Sequence, residues 1–313
     1  MRLLLDVDTG VDDAMAILFA VGHPAIDLLG VGCVAGNTTL ENVVTNTLRV
    51  LDIAGADDVP VAVGAPRPLL APARPSHFHG VDGLADLDLP APSRAPVAQA
   101  AVEFYRDAIL AAEGPVTLAG IGPLTDFALL LRQHPELADR VERLVFMGGA
   151  VAGGNATAVA EFNVWQDPEA TAICLDAGVP VEMYPLDVFT RMRVPAAERA
   201  ALAASTSRVA PFVARLLDHL APEPVDPAHI AGIGDAGAIV WLARPDLFEA
   251  GEFPVRVELE GRSRAQTVVD RRIHVGEDAV HGAAGDDGLV RVVLDGDVPG
   301  VIREFTQAIG RLQ

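Results

Sequence analysis

Leu3-Leu4-Leu5-Asp6-Val7-Asp8-Thr9-Gly10-Val11-Asp12-Asp13 opens the chain with an apolar run that closes in four carboxylates, two on either side of one glycine. An apolar run of this length ended by Gly10 reads as a buried strand, and the segment from Asp13 to Gly22 reads as a helix. The acids therefore fall on a strand-to-helix connection. Two carboxylates about 4 Å apart repel by roughly 4 kcal/mol at an effective dielectric near 20, so several on one short loop need a cation or protons to coexist. A divalent metal meets that need. The bland alternative is that Asp12 and Asp13 sit in a first helical turn, where the macrodipole favours acids, while Asp6 and Asp8 accept from loop amides.

Working outward, Leu28 to Val34 reads as a second buried strand and Leu40 to Ala54 as a helix, with Gly36-Asn37-Thr38 turning between them. A short strand at Val61 to Val63 leads into residues 65–96, rich in Pro, Ala and Gly and carrying His77, His79 and Asp82. A connection this long points to a binding loop. Helix Val97 to Ala112, strand Val116 to Ala119, helix Leu124 to Gln133, strand Leu144 to Met147, a helix from Pro168 and a strand at Val181 to Tyr184 continue the alternation. Ala196 to Ala221 reads as helical, residues 222–234 as a second loop holding His229, and Asp235 to Ala243 as a buried helix. Strands at Val255 to Leu259 and Ala265 to Val269 and a helix from Pro299 to Leu312 complete the reading. The pattern predicts a single α/β domain over residues 1–313, with an open, mostly parallel central sheet and helices on both faces. In such sheets ligands bind outside the carboxyl ends of the strands, where Asp8, Asn37, Ile121 and Met147 all fall.

The composition narrows the partners. A formal charge of −20 and a pI near 4.6 disfavour nucleic acid and anionic membranes and favour small or cationic ligands. The basic residues are all arginine, so Schiff-base chemistry and a P-loop lysine are excluded. Cys33 and Cys174 lie far apart in apolar surroundings and read as buried thiols of a reducing compartment. With no signal peptide and no apolar run long enough to span a bilayer, a cytoplasmic protein is expected.

The motifs together resemble a known family. Asp6-Val7-Asp8-Thr9-Gly10-Val11-Asp12-Asp13-Ala14 resembles the DxDPGxDDA signature of the inosine-uridine preferring nucleoside hydrolases. Ala35-Gly36-Asn37, His79-Gly80-Val81-Asp82-Gly83-Leu84, Gly122-Pro123-Leu124-Thr125, Met147-Gly148-Gly149, Ala160-Glu161-Phe162-Asn163, Asp167-Pro168-Glu169-Ala170 and Thr267-Val268-Val269-Asp270 resemble further motifs of that family in order. The resemblance implies a Rossmann-like core and a homodimer or homotetramer. It implies Ca²⁺ bound by Asp8, Asp13, the backbone carbonyl of Ile121 and Asp235. Asp12, Asn37, Glu161 and Asn163 would hold the ribose hydroxyls, with Met147 and Phe162 packed near the sugar.

The implied reaction is hydrolysis of a ribonucleoside to ribose and free base. Asp8 would be the general base for a water held by the metal and attacking with inversion, and neighbouring anions would stabilise the oxocarbenium-like ribosyl ring. Asp6 would hold the loop from behind. The chain departs from the family at two positions. Thr9 replaces a proline, and Gly234 stands where the best-known members carry a histidine proposed to assist the leaving base. His79 and His229 are the candidates to contact the base instead, with His77 a weaker one. Trp241 reads as core, and Trp165 as either core or site. A haloacid-dehalogenase-like, Mg²⁺-dependent phosphatase would also open with Asp6-x-Asp8-Thr9, but it commonly uses a lysine that this chain lacks. A non-catalytic riboside- or calcium-binding homologue is the other alternative.

Overall fold

The computed structural model describes residues 1–76, 78–221, 231–274, 276–280 and 288–312. Its strands are β1 (Arg2–Val7), β2 (Asp27–Cys33), β3 (Val61–Val63), β4 (Val116–Gly120), β5 (Val141–Met147), β6 (Val181–Tyr184), β7 (Phe248–Val257), β8 (Thr267–Val269) and β9 (Leu289–Gly296). They form one nine-stranded sheet in the order β3-β2-β1-β4-β5-β6-β9-β7-β8. β1 to β6 and β9 pair in parallel, while β7 runs antiparallel to both β9 and β8. This is the expected single-domain α/β architecture with a mostly parallel sheet.

The strand order reverses at β1, which has β2 on one side and β4 on the other. A crevice opens where successive connections leave for opposite faces, and that is where such sheets bind ligands. The acidic stretch leaves β1 at this point. β1 is buried along almost its whole length because both faces are covered. Leu3, Leu5 and Val7 belong to one apolar cluster and Leu4 to the other, the alternation that a pleated strand imposes. α1 (Val11–Gly22) is apolar on nearly every side, since it lies between the sheet and the helices Ala236–Ala243 and Val298–Arg311. On the same face packs α2 (Leu40–Ala54), capped by the Thr39 hydroxyl and ended by Gly55 in the left-handed region. α3 (Ala101–Ala111) and α4 (Thr125–Gln133) cover the opposite face.

Several boundaries differ from the sequence reading. The segment 97–112 is helical only over Ala101–Ala111. The expected long helix of residues 196–221 is two, Ala196–Ala203 and Ala210–His219. Between them, the Ser207 hydroxyl accepts from the Ala210 amide and the Ser205 hydroxyl from the Ser207 amide, local bonds that compete with a continuous helix. The strand expected at residues 255–259 begins earlier, at Phe248, and β9 was not foreseen. Trp241 is core, as expected: it is fully buried, and its indole N–H donates to Glu182 at 2.6 Å. Cys33 and Cys174 are buried free thiols, also as expected. No helix among the described residues is long and apolar enough to cross a membrane.

Candidate active site

Asp8 leaves the carboxyl end of β1 fully buried. Its Oδ2 accepts the Asn37 amide at 2.6 Å, whereas its Oδ1 has no hydrogen-bond donor. The backbones of Gly36 and Gly122 close on this carboxylate from the ends of β2 and β4. A Cβ at either would collide with it, so these two turns need glycine for close approach.

Asp13, in the first turn of α1, serves both readings of the opening stretch. It accepts the Asp8 amide on Oδ1 at 3.1 Å, and the Gly10 amide and Asn37 side chain on Oδ2 at 2.9 and 3.2 Å. It also lies with Asp12 and Asp235 in the one acidic triple found among the described residues in which one carboxylate oxygen from each comes within 4.8 Å of the others. Asp235 arrives at the start of the helix Ala236–Ala243. Asp8 is outside this triple but adds to its field, since Asp12, Asp13, Asp8 and Glu161 all oppose ionisation of Asp235.

The other side of the crevice comes from the connection after β5. Glu161 caps the short helix α5 (Phe162–Gln166), and its carboxylate accepts the amides of Asn163, Gly149 and Val164 at 2.9, 3.0 and 3.2 Å. Asn163 donates from Nδ2 to the carbonyls of Ile121 at 2.8 Å and Met147 at 3.1 Å. The Ile121 carbonyl is thus bound to Asn163 in this state, leaving one further lone pair. Phe162 is half-buried, its ring 6.1 Å from that of Trp165. The guanidinium of Arg74 stacks on Trp165 at 3.6 Å, and this ties the first long loop to α5.

His79 is the loop histidine that reaches the cluster. It is buried, its Nδ1 accepts the Val11 amide at 3.2 Å, and it lies 3.7 Å from Asp12. Accepting at Nδ1 places the proton of the neutral ring on Nε2. Burial lowers its pKa against the pull of Asp12, so the ring is a neutral donor at pH 7. His77 and His229 lie outside the described residues.

Burial also sets the protonation of the acids. It raises the pKa of Asp8, reinforced by Asp13, and that of Asp235, reinforced by Asp12. Asp13 and Glu161 are each pushed up to about 7 by burial. Without a cation the cluster therefore retains protons near neutrality. The unpartnered Oδ1 atoms of Asp8 and Asp12, together with an all-oxygen donor set, suit a hard divalent cation.

Sequence reasoning missed three contributors. Behind β1, Asp6 accepts the Tyr105 hydroxyl at 2.6 Å and has Asp126 as a charged neighbour, which itself accepts the Ala65 amide at 2.9 Å. Burial first, then Asp126, raises the Asp6 pKa. Asp6 does stand behind the loop, but Tyr105 and Asp126 come from distant helices, and only the position of Asp126 next to the Gly122-Pro123-Leu124-Thr125 turn could have drawn attention to it. The third is Phe189, which packs against Gly234. Gly234 has φ +49°, and a Cβ there would stand 2.7 Å from the Asp12 Cβ and 3.0 Å from the Phe189 ring. Gly234→Ala is expected to lower stability by about 1–2 kcal/mol from the left-handed backbone alone and to displace Asp12. A denaturant melt with an unchanged midpoint would show that this backbone relaxes freely.

Fold and site together define an α/β protein with a buried carboxylate cluster, the candidate active site, at the carboxyl edge of a mostly parallel sheet. The profile of the inosine-uridine preferring nucleoside hydrolases matches residues 3–303, and the chain belongs to this family. It is a hydrolase of the N-glycosidic bond of ribonucleosides. The chain is 39% identical over 315 residues to the pyrimidine-specific ribonucleoside hydrolase RihA of Shewanella woodyi, covering 98% of this chain and 97% of that protein. It is 40% identical to RihA of Shewanella oneidensis over 277 residues, 86% of each. Among solved structures, a plant nucleoside hydrolase superposes with a TM-score of 0.90 at 25% identity over 98% of both chains. A purine-preferring ribonucleoside hydrolase from Gardnerella vaginalis does so with 0.88 at 29% identity, over 100% of this chain and 99% of that one.

Proposed function

We propose that the chain is a Ca²⁺-dependent hydrolase of pyrimidine ribosides that adds water to C1′ with inversion, using Asp8 as general base. The observation that carries this reading is the unpartnered Oδ1 of Asp8, fully buried among other acids where the strand order reverses. A buried carboxylate held by one amide, with its other oxygen free of a hydrogen-bond donor, is ready to take a proton from water. The preference for pyrimidines is drawn from the two relatives at 39–40% identity, both named pyrimidine-specific.

Asp8, Asp13, Asp235 and the Ile121 carbonyl would hold the cation. When bound, Ca²⁺ supplies positive charge that keeps these acids ionised and makes a nearby water more acidic. Asp12, Asn37, Glu161 and Asn163 would then bind the ribose hydroxyls. The side chains of Glu161 and Asn163 are fixed by the backbone contacts described above and that of Asn37 by the Asp13 carboxylate, so little of their ordering entropy is lost when the sugar arrives. Met147 and Phe162 would pack on the ring, and the surrounding carboxylates stabilise positive charge developing on it. The loop at 65–96 would enclose the base, with His79 offering its Nε2–H. The same reading takes the protein as a cytoplasmic homodimer or homotetramer.

The test is release of reducing sugar from uridine, cytidine and inosine by the purified protein with and without a chelator. His79→Ala is expected to raise KM for uridine about tenfold, as loss of a hydrogen bond worth roughly 1.5 kcal/mol would do. An unchanged KM would remove His79 from the base subsite. Sugar release undiminished by the chelator would remove the metal.

A further inference from the structure

Tyr184 ends β6 and is fully buried. Its ring meets that of Phe248 edge-on, with centroids 6.2 Å apart, and its backbone carbonyl accepts the Gly148 amide at 3.2 Å. The phenol oxygen has no hydrogen-bond partner among the described residues. A buried hydroxyl left in this way carries a desolvation cost that a phenylalanine of the same shape would not incur. Packing alone therefore does not account for a tyrosine at this position.

The hydroxyl lies against the first turn of the helix Ala236–Ala243. A Cβ on Gly237 would stand 2.1 Å from the phenol oxygen and 2.7 Å from Cζ, so this turn accommodates the phenol only because residue 237 is glycine. Asp235 opens the same turn two residues earlier, and its charge acts on the phenol. The carbonyls of the turn are already engaged: those of Ile233, Gly234 and Asp235 accept the amides of Ala236, Gly237 and Ala238, each at 3.0 Å. The carboxylates of Asp13 and Glu161 are fixed by backbone amides. For Asp235, the buried hydroxyl beside its helix turn is a donor still free.

Resting on the metal reading above, we propose that Tyr184 is a positioning residue for that site: when the Asp235 carboxylate turns to a divalent cation, the Tyr184 hydroxyl donates to it and holds it in its ligating orientation. A carboxylate that gives one oxygen to a metal keeps lone pairs for a second partner. Supporting hydrogen bonds of this kind set how a ligand is aimed and how tightly the metal is held. Burial, reinforced by Asp235, raises the pKa of the phenol, so the group is an O–H donor near neutrality. It touches neither the sugar nor the attacking water and acts through Asp235. Its hydrogen bond is thus unmade in the cation-free protein and made in the cation-bound one, a difference that adds to cation affinity.

Tyr184→Phe keeps the ring and removes only the oxygen. The experiment compares the full chain and this variant by calorimetric titration with Ca²⁺ and by thermal melts of the metal-free proteins. The Kd for Ca²⁺ is expected to rise about tenfold, the lower end of the loss that follows removal of a hydrogen bond to a metal ligand. The metal-free variant is expected to melt no lower than wild type, because no hydrogen bond is lost there. A Kd within about threefold of wild type overturns the proposal. A lower metal-free melt overturns it as well, since the hydroxyl would then be bonded before the cation arrives, as in a purely structural role. Wild-type protein that binds no Ca²⁺ removes the metal reading itself, whereas wild-type binding with an unchanged variant removes this inference alone.

Discussion

Replacing Asp8 by asparagine is expected to lower kcat/KM for uridine by about 10³- to 10⁴-fold, the upper range for loss of a positioned general base, with no loss of folded protein. The substitution keeps the shape of the side chain between Gly36 and Gly122. It also keeps an acceptor for the Asn37 amide, so the turn after β2 has no orphaned donor. What it removes is the basic oxygen. Asp8→Ala should be as inactive but less stable, because it leaves the Asn37 amide buried without a partner, at a cost of about 1–3 kcal/mol. The two variants thus separate chemistry from scaffolding. Burial and the neighbouring Asp13 disfavour the ionised form of Asp8, so the metal-free Asp8→Asn protein should melt no lower than wild type at pH 8. Reducing-sugar release and thermal melts on the same samples check both statements. Asp8→Asn activity above a tenth of wild type would assign the base elsewhere.

How much of this was legible in the sequence follows from the range of the contacts. Asp8 and Asp13 are five residues apart and meet across a single turn, through a bond between the Asp8 amide and the Asp13 carboxylate. The apolar run, the glycine and the acids that encode this junction are contiguous, so both the strand-to-helix turn and the acid cluster could be read. The sheet followed from alternation of the same kind. β9 escaped because its Leu289-Val290-Arg291-Val292-Val293 run is short and carries a charge. Its identity as a strand depends on pairing with both β6 and β7, which no local pattern announces. The pairing of Asp6 with Tyr105, 99 residues away, is invisible for the same reason. Gly234 could be seen as a departure from the family motif, but its closure could not. That depends on Asp12 and Phe189, brought to it by two other parts of the chain.

Removing the divalent cation is expected to make stability fall as pH rises, and restoring it to reverse the trend. The sign follows from the acids. Burial pushes Asp13 and Glu161 up to about 7 from ordinary values of 3.8 and 4.5, and raises Asp8 and Asp235 as well. Between about pH 4 and 7 the folded metal-free chain therefore binds more protons than the unfolded one. The slope of unfolding free energy with pH is negative there. The contribution of these groups is full below the unfolded value and is lost as pH passes the folded one. A cation competes for the same oxygens, so its affinity grows as the protons leave. At a free Ca²⁺ concentration one hundred times Kd the stabilisation is about 2.7 kcal/mol, or roughly 4 °C in Tm for a chain of this size. The rise should be larger at pH 8 than at pH 5. Asp235→Ala removes a member of the acidic triple while leaving the capping bonds of Asp13 in place, so it should abolish the Ca²⁺-induced rise and shallow the decline of the metal-free protein. A shift that is equal at both pH values, or that survives Asp235→Ala, would place the cation away from this cluster, and the protons held near neutrality would then be unrelated to metal binding.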